Sequence, residues 1–284
     1  MSALLMLLML AAADKAADKS TDKSFRLADG VEMAYVDRGK GDPALVFVHC
    51  GNCRKEIWKE TLDAFSPDHR VVAMDLPGHG RSGANREKWS LPLLGADVAA
   101  LVDHLKLQKV VLVGNSLGGP VAVEAARRLG RARVMGIVAV DTLQNVEAKW
   151  PEDQLQRLLA SYRADFKAGC DSLMLGPLLP KDTPAAIRQR VDDLTCGNDP
   201  KAAIALLESM GSYDGTGPLR EVGVPVWAIN ATLFPTAVEA NRKYAPSFQL
   251  ILVEGVGHYP QVERPAEFQE DLRRVLGALA APGH

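Results

Sequence analysis

The stretch Val110-Val111-Leu112-Val113-Gly114-Asn115-Ser116-Leu117-Gly118-Gly119-Pro120 decides how the rest of the chain is read. Four apolar residues in a row, three of them β-branched, make a short strand with no polar face, and such strands belong in the interior of a parallel sheet. A helical pattern follows from Gly119, and Pro120 is tolerated in its first turn because the missing N–H would have no partner there. The glycines at 114 and 118 let the backbone turn from strand to helix where side chains would strike neighbouring backbone. Ser116 is left at the tip of that turn with its hydroxyl exposed, as the strand–G-x-S-x-G–helix arrangement requires of a nucleophile.

The pattern on either side repeats this alternation. Val-rich runs at 44–49, 71–75, 110–114, 134–140, 224–230 and 248–254 read as strands buried on both faces. Helical patterns such as 91–105 and 120–129 lie between most of them, which predicts an α/β fold with a mostly parallel central sheet. At the N-terminal end, strand-like runs at 24–28 and 31–37 flank Asp29-Gly30, a hairpin signal that adds an antiparallel edge. Roughly 80 residues between Val140 and Val224 contain no clear strand but are rich in helix formers at 152–166, 184–194 and 201–210. They read as an inserted helical cap over the carboxyl ends of the strands, where ligands bind in open α/β sheets. The expected organisation is therefore 1–23 signal and linker, 24–142 and 223–284 as two halves of one core, and 143–222 as the cap.

A serine hydroxyl needs a base within hydrogen-bond reach. Of the six histidines, His258 is the candidate, because Glu254-Gly255-Val256-Gly257-His258-Tyr259-Pro260 places it on a glycine-flanked turn after the last strand. Val46-Phe47-Val48-His49, Met74-Asp75-Leu76-Pro77-Gly78-His79-Gly80-Arg81-Ser82, the serine turn and Gly257-His258 then occur in an order and spacing that resembles the α/β-hydrolase superfamily, in its esterase-type branch with a helical cap. The resemblance runs from about Phe25 to the C-terminus and is weakest in the cap. It implies the α/β-hydrolase fold and an oxyanion hole made by the N–H groups of Leu117 and Gly51. Asn52 beside Gly51 and Trp150 at the cap entrance are candidate substrate-binding residues, while Asp75 and His79 fall in a turn that the resemblance makes structural. Trp58 and Trp89 read as core or pocket wall.

The chain departs from its relatives at two places. The usual site of the third catalytic group, after strand 224–230, reads Ala231-Thr232-Leu233-Phe234-Pro235-Thr236, with no carboxylate before Glu239. The superfamily's alternative position, after strand 134–140, holds Asp141, which keeps the order Ser, Asp, His and is the preferred acid, with Glu239, or a displaced or absent acid, as the alternatives. The loop after the first central strand reads His49-Cys50-Gly51-Asn52-Cys53 where relatives carry His-Gly. It lacks the βαβ setting of a redox dithiol, so two ordinary thiols are expected, with a local disulfide stiffening the loop as the alternative. Cys170 and Cys196 both fall in the cap, and spacing alone does not pair them.

The 284 residues are 47% hydrophobic and 24% charged, which is globular composition, and the net charge of −2 with no basic block argues against a nucleic-acid partner. No zinc-type spacing is present, and neither metal nor cofactor is implied. The eleven apolar residues at 3–13 are too few for a transmembrane span but match a signal peptide's apolar segment, with Ala11-Ala12-Ala13 as the processing site, so export to a periplasmic or secreted location is expected. Together these features predict a serine hydrolase that cleaves a small-molecule carboxylic ester. The alternatives on the same residues are a lactonase, a carbon–carbon bond hydrolase or perhydrolase, and a hydrolase-like sensor of a small ligand.

Overall fold

A computed structural model describes residues 22–281 of the chain. The apolar run at 3–13 and its expected processing site lie outside the described residues. Eight strands form one sheet: β1 (Lys23–Arg26), β2 (Glu32–Arg38), β3 (Ala44–Val48), β4 (Val71–Met74), β5 (Val110–Asn115), β6 (Val134–Val140), β7 (Val226–Ala231) and β8 (Gln249–Val253). Their order is β1-β2-β4-β3-β5-β6-β7-β8. Every pairing from β4 to β8 is parallel, and only β2 runs against its neighbours β1 and β4. The hairpin before β2 closes with a three-residue turn, not two, because Leu27 still pairs with Val31 and Gly30 supplies φ +86° at the turn's end.

The side-chain period of two sorts the central strands into two apolar layers. Val46, Val48, Val110 and Leu112 pack beneath α2 (Leu91–His104) and α3 (Gly118–Leu129). Leu45, Phe47, Val111 and Val113 face the other way, toward α1 (Lys59–Phe65) and α11 (Pro265–Ala280). Helix α11 buries Phe268, Leu272, Val275 and Leu279, the i, i+4, i+7, i+11 stripe of an amphipathic helix. Helix α2 starts where Ser90 accepts a hydrogen bond from Leu93 N, one of the otherwise orphaned amides of its first turn. The expectation of strands buried on both faces fails at β8. It is the sheet edge, and its Leu252 is exposed.

Between β6 and β7 lie α4 (Glu152–Ala164), α5 (Phe166–Met174), α6 (Ala185–Leu194), α7 (Pro200–Ser212) and α8 (Thr216–Glu221). Residues of α4, α5 and α7 roof a cavity whose floor is the carboxyl end of the sheet, so the insert is the helical cap. Helix α8 instead rests against the core, with Leu219 buried among the residues packed under α3. Among the described residues no helix is long and apolar enough to cross a membrane.

Candidate active site

Ser116 sits between β5 and α3 at φ +53°, a region that costs an L-residue free energy unless its surroundings impose it. The surroundings do. Ser116 N donates to Val140 O at 3.0 Å, and a Cβ at Gly114 would strike the Gly118 carbonyl, while one at Gly118 would strike the carbonyl of Val48. Only glycines fit on both sides of the serine. Asn115 braces the turn from below, with Nδ2 donating to Val140 O at 2.8 Å and to His258 O at 3.2 Å, and Oδ1 accepting from Gln261 Nε2 at 3.1 Å. One buried amide therefore links the serine turn, the end of β6 and the histidine loop.

His258 Nδ1–H donates to Asp141 Oδ2 at 2.5 Å, with the two residues 7% and 1% exposed. An ionised carboxylate can only accept, so this contact fixes the proton on Nδ1 and leaves Nε2 bare in the neutral ring. The second carboxylate oxygen, Oδ1, accepts from Ala231 N at 2.9 Å. The turn that carries Asp141 holds two residues at positive φ, Asp141 (+43°) and Leu143 (+53°). Asn230 at the end of β7 clasps it, accepting from Thr142 N and donating to Thr142 O, and Asn241 donates to Leu143 O. The strand end without a carboxylate thus supplies an amide and an asparagine that hold the carboxylate of the neighbouring strand. Glu239 is far more exposed, on α9 (Val238–Arg242), and pairs with Arg242. The structure brings Asp141, and not Glu239, to His258.

The loop after β3 corrects the sequence reading. Cys50 and Cys53 are a disulfide, not two thiols, because the tight turn that returns Cys53 N to Cys50 O holds the Cα atoms 5.3 Å apart, within bridging range. Cys170 and Cys196 form a second bridge inside the cap. His49 fixes the base of the loop, its Nδ1 donating to Cys50 O at 2.7 Å and its Nε2 accepting from Leu76 N at 2.9 Å. Burial pushes the His49 pKa down and keeps the ring neutral, as that pairing requires. Asp75 is structural in the same way. Its carboxylate accepts from Lys55 N, Arg81 N and the buried Lys55 Nζ, and Ser82 Oγ donates to its carbonyl. Gly51 lies against Leu117, both line the cavity, and neither backbone N–H finds an acceptor among the described residues.

The same loop is sewn to the cap. Cys53 and Thr195 form an isolated β-bridge and Cys196 N donates to Asn52 O at 2.8 Å, while beside the loop Asp199 N donates to Gly78 O in the turn after β4 and Arg190 pairs with Glu60 on α1. Asn52 itself is held at φ +59°.

These parts enclose a cavity of about 600 Å³ that Ser116, Asp141 and His258 all line, together with the expected residues Gly51, Asn52, Leu117 and Trp150. Trp150 and Lys149 are exposed at its rim. Tyr162 and His79 are among the wall residues that the sequence did not point to. Tyr162 on α4 sits on an ordinary apolar helix face, and its partner Asn52 is 110 positions away. His79 belongs to the structural turn as expected but also lines the cavity. Its Nδ1 donates to Pro77 O, and burial pushes its pKa down to about 3, so the ring is neutral. Among the described residues no cluster of His, Cys, Asp or Glu is arranged to hold a metal.

Glu263, at the end of α10 (Pro260–Glu263), clamps the histidine loop by accepting from Gly257 N at 2.8 Å and Tyr259 N at 3.0 Å. Burial raises its pKa, outweighing the two amides that lower it. A carboxyl with a raised folded pKa contributes stability that is fully present below the ordinary carboxylate range and is lost as pH rises through the raised value. Glu263→Gln keeps an acceptor for only one of the two amides and, being uncharged, carries no such pH dependence. In thermal unfolding the wild type's advantage over this variant should be larger near pH ~4 than near pH ~7. An advantage that grows with pH would contradict the assignment.

A parallel sheet with β2 reversed, a serine turn between its fifth strand and the following helix, and a helical insert over the strand ends define an α/β-hydrolase. The comparisons with known proteins agree: the profile of the alpha/beta hydrolase family matches residues 45–270, and the chain belongs to that family. It is 26% identical to a pimeloyl-[acyl-carrier protein] methyl ester esterase of Xanthomonas campestris pv. campestris, over 84% of this chain and 96% of that protein. It is 23% identical to 3-oxoadipate enol-lactonase 2 of Acinetobacter baylyi, over 88% of this chain and 94% of that protein. Among solved structures, a thermophilic esterase from Thermogutta terrifontis superposes with a TM-score of 0.78 at 22% identity, covering 92% of this chain and 99% of that one.

Proposed function

We propose that this protein is a serine hydrolase that cleaves a small carboxylic ester through an acyl-enzyme. Ser116 Oγ attacks the ester carbonyl while His258 Nε2 takes its proton, and the same nitrogen returns the proton to the departing alkoxide. Asp141 holds the required tautomer and stabilises the imidazolium. The N–H groups of Gly51 and Leu117 receive the negative oxygen of each tetrahedral intermediate, a contribution of ~3 kcal/mol per donor in comparable sites. Water then enters by the same route and releases the acid. The observation that carries this reading is the 2.5 Å contact between His258 Nδ1 and Asp141 Oδ2 in a cavity that Ser116 also lines. The test is turnover of 4-nitrophenyl acetate, butanoate and hexanoate by the wild type beside Ser116→Ala. No release by the wild type at any acyl length, or equal release by the variant, overturns it.

A lactone is the second reading of the substrate, favoured by the enol-lactonase among the relatives. A lactone is a cyclic ester and needs no different residues. Export is proposed as well. The apolar run at 3–13 has a signal peptide's length, and both cysteine pairs are bridged, a state that persists in oxidising compartments. N-terminal sequencing of the protein recovered from its native compartment should begin at or after residue 13, and retention of the apolar run would refute processing.

A further inference from the structure

Tyr162 is 2% exposed and lines the cavity. Its hydroxyl accepts a hydrogen bond from Asn52 Nδ2 at 2.9 Å. Asn52 follows Gly51, whose N–H belongs to the oxyanion site of the proposed mechanism, so the hydroxyl lies close to where the scissile carbonyl would be held. Asn198 Nδ2 in turn donates to Asn52 Oδ1 at 3.5 Å, which agrees with Asn52 presenting its nitrogen to Tyr162. The amide is also anchored through its backbone. Asn52 O accepts from Cys196 N, and the residue lies inside the Cys50–Cys53 loop.

A tyrosine hydroxyl that accepts one hydrogen bond still has its own proton to donate. Among the described residues no acceptor takes it. A buried O–H beside a ligand cavity, with no acceptor in the protein, is a donor kept for the ligand.

We infer that Tyr162 is a specificity-determining residue that donates its O–H to a second oxygen of the substrate, near the scissile carbonyl. The preferred substrates are then esters or lactones bearing an ether, keto or hydroxyl oxygen, in preference to plain aliphatic esters of the same length. The inference rests on the serine-hydrolase reading of the same cavity.

The test uses ester pairs that exchange one methylene for oxygen: 4-nitrophenyl methoxyacetate against butanoate, 4-nitrophenyl 3-methoxypropanoate against pentanoate, and 2-methoxyethyl butanoate against butyl butanoate. For each pair the ratio of kcat/KM is measured in the wild type and in Tyr162→Phe, which keeps the ring and its packing. Dividing one ratio by the other cancels both the intrinsic reactivity of the esters and any general damage to the site. The expected quotient is about tenfold for at least one pair, the size of a lost neutral hydrogen bond. Turnover with a quotient near one for all three pairs overturns this inference alone. No turnover of any ester by the wild type removes the hydrolase reading and this inference with it.

Discussion

Ser116→Ala is expected to lower kcat for 4-nitrophenyl esters by on the order of 10⁶-fold, as loss of the nucleophile does in serine hydrolases of other folds. The fold should survive the change. Alanine keeps the Cβ that already occupies this turn at φ +53°, and the bonds that hold the turn run through the backbone of Ser116 and the side chain of Asn115. A residual rate above that in water is also expected, because the amides of Gly51 and Leu117 and the cavity walls remain. The measurement is steady-state release of 4-nitrophenol together with thermal unfolding. A variant that unfolds at the wild-type temperature and still turns over at a comparable rate would show that another group is the nucleophile.

Asp141→Asn should cost about 10⁴-fold in kcat with little change in stability. The asparagine Oδ1 can still accept from Ala231 N, so the turn clasped by Asn230 keeps its bonds. The change falls on the other atom. An amide nitrogen would replace the oxygen that now accepts from His258 Nδ1, and two donors cannot face each other, so the ring takes the tautomer with its proton on Nε2. That nitrogen can no longer accept a proton from serine. Near-wild-type turnover in Asp141→Asn would remove Asp141 from the mechanism, and parallel measurement of Glu239→Gln, expected to be neutral, tests the other carboxylate named from the sequence.

The serine turn is legible in the sequence because its backbone permits so few residues. Contacts at Gly114 and Gly118 exclude every side chain, so the constraint is written directly into the sequence. Asp141 and His258 were legible for a related reason, since each closes a strand at the edge where the sheet presents its ends. Cys50–Cys53 was not, because bridging depends on how a four-residue turn folds back, and spacing alone is equally compatible with free thiols. Helix α5 was missed as a separate element, although Asp165 caps it through Ala168 N. Tyr162 was beyond reach, since its distinction lies in a contact with Asn52 across 110 residues and not in its own neighbourhood.

The stitches between the loop at Cys50–Cys53 and the cap segment at 195–198 have a consequence for traffic through the site. On that side the roof cannot lift without pulling on Asn52 and, through it, on the neighbouring Gly51. Away from those stitches, Lys149 and Trp150 stand in solvent at the cavity rim. In the proposed acyl-enzyme mechanism the two products leave in sequence. On that mechanism the alcohol leaves before water attacks the acyl group, so a bulky alcohol is expected to slow the cycle even when its ester is chemically easy to cleave.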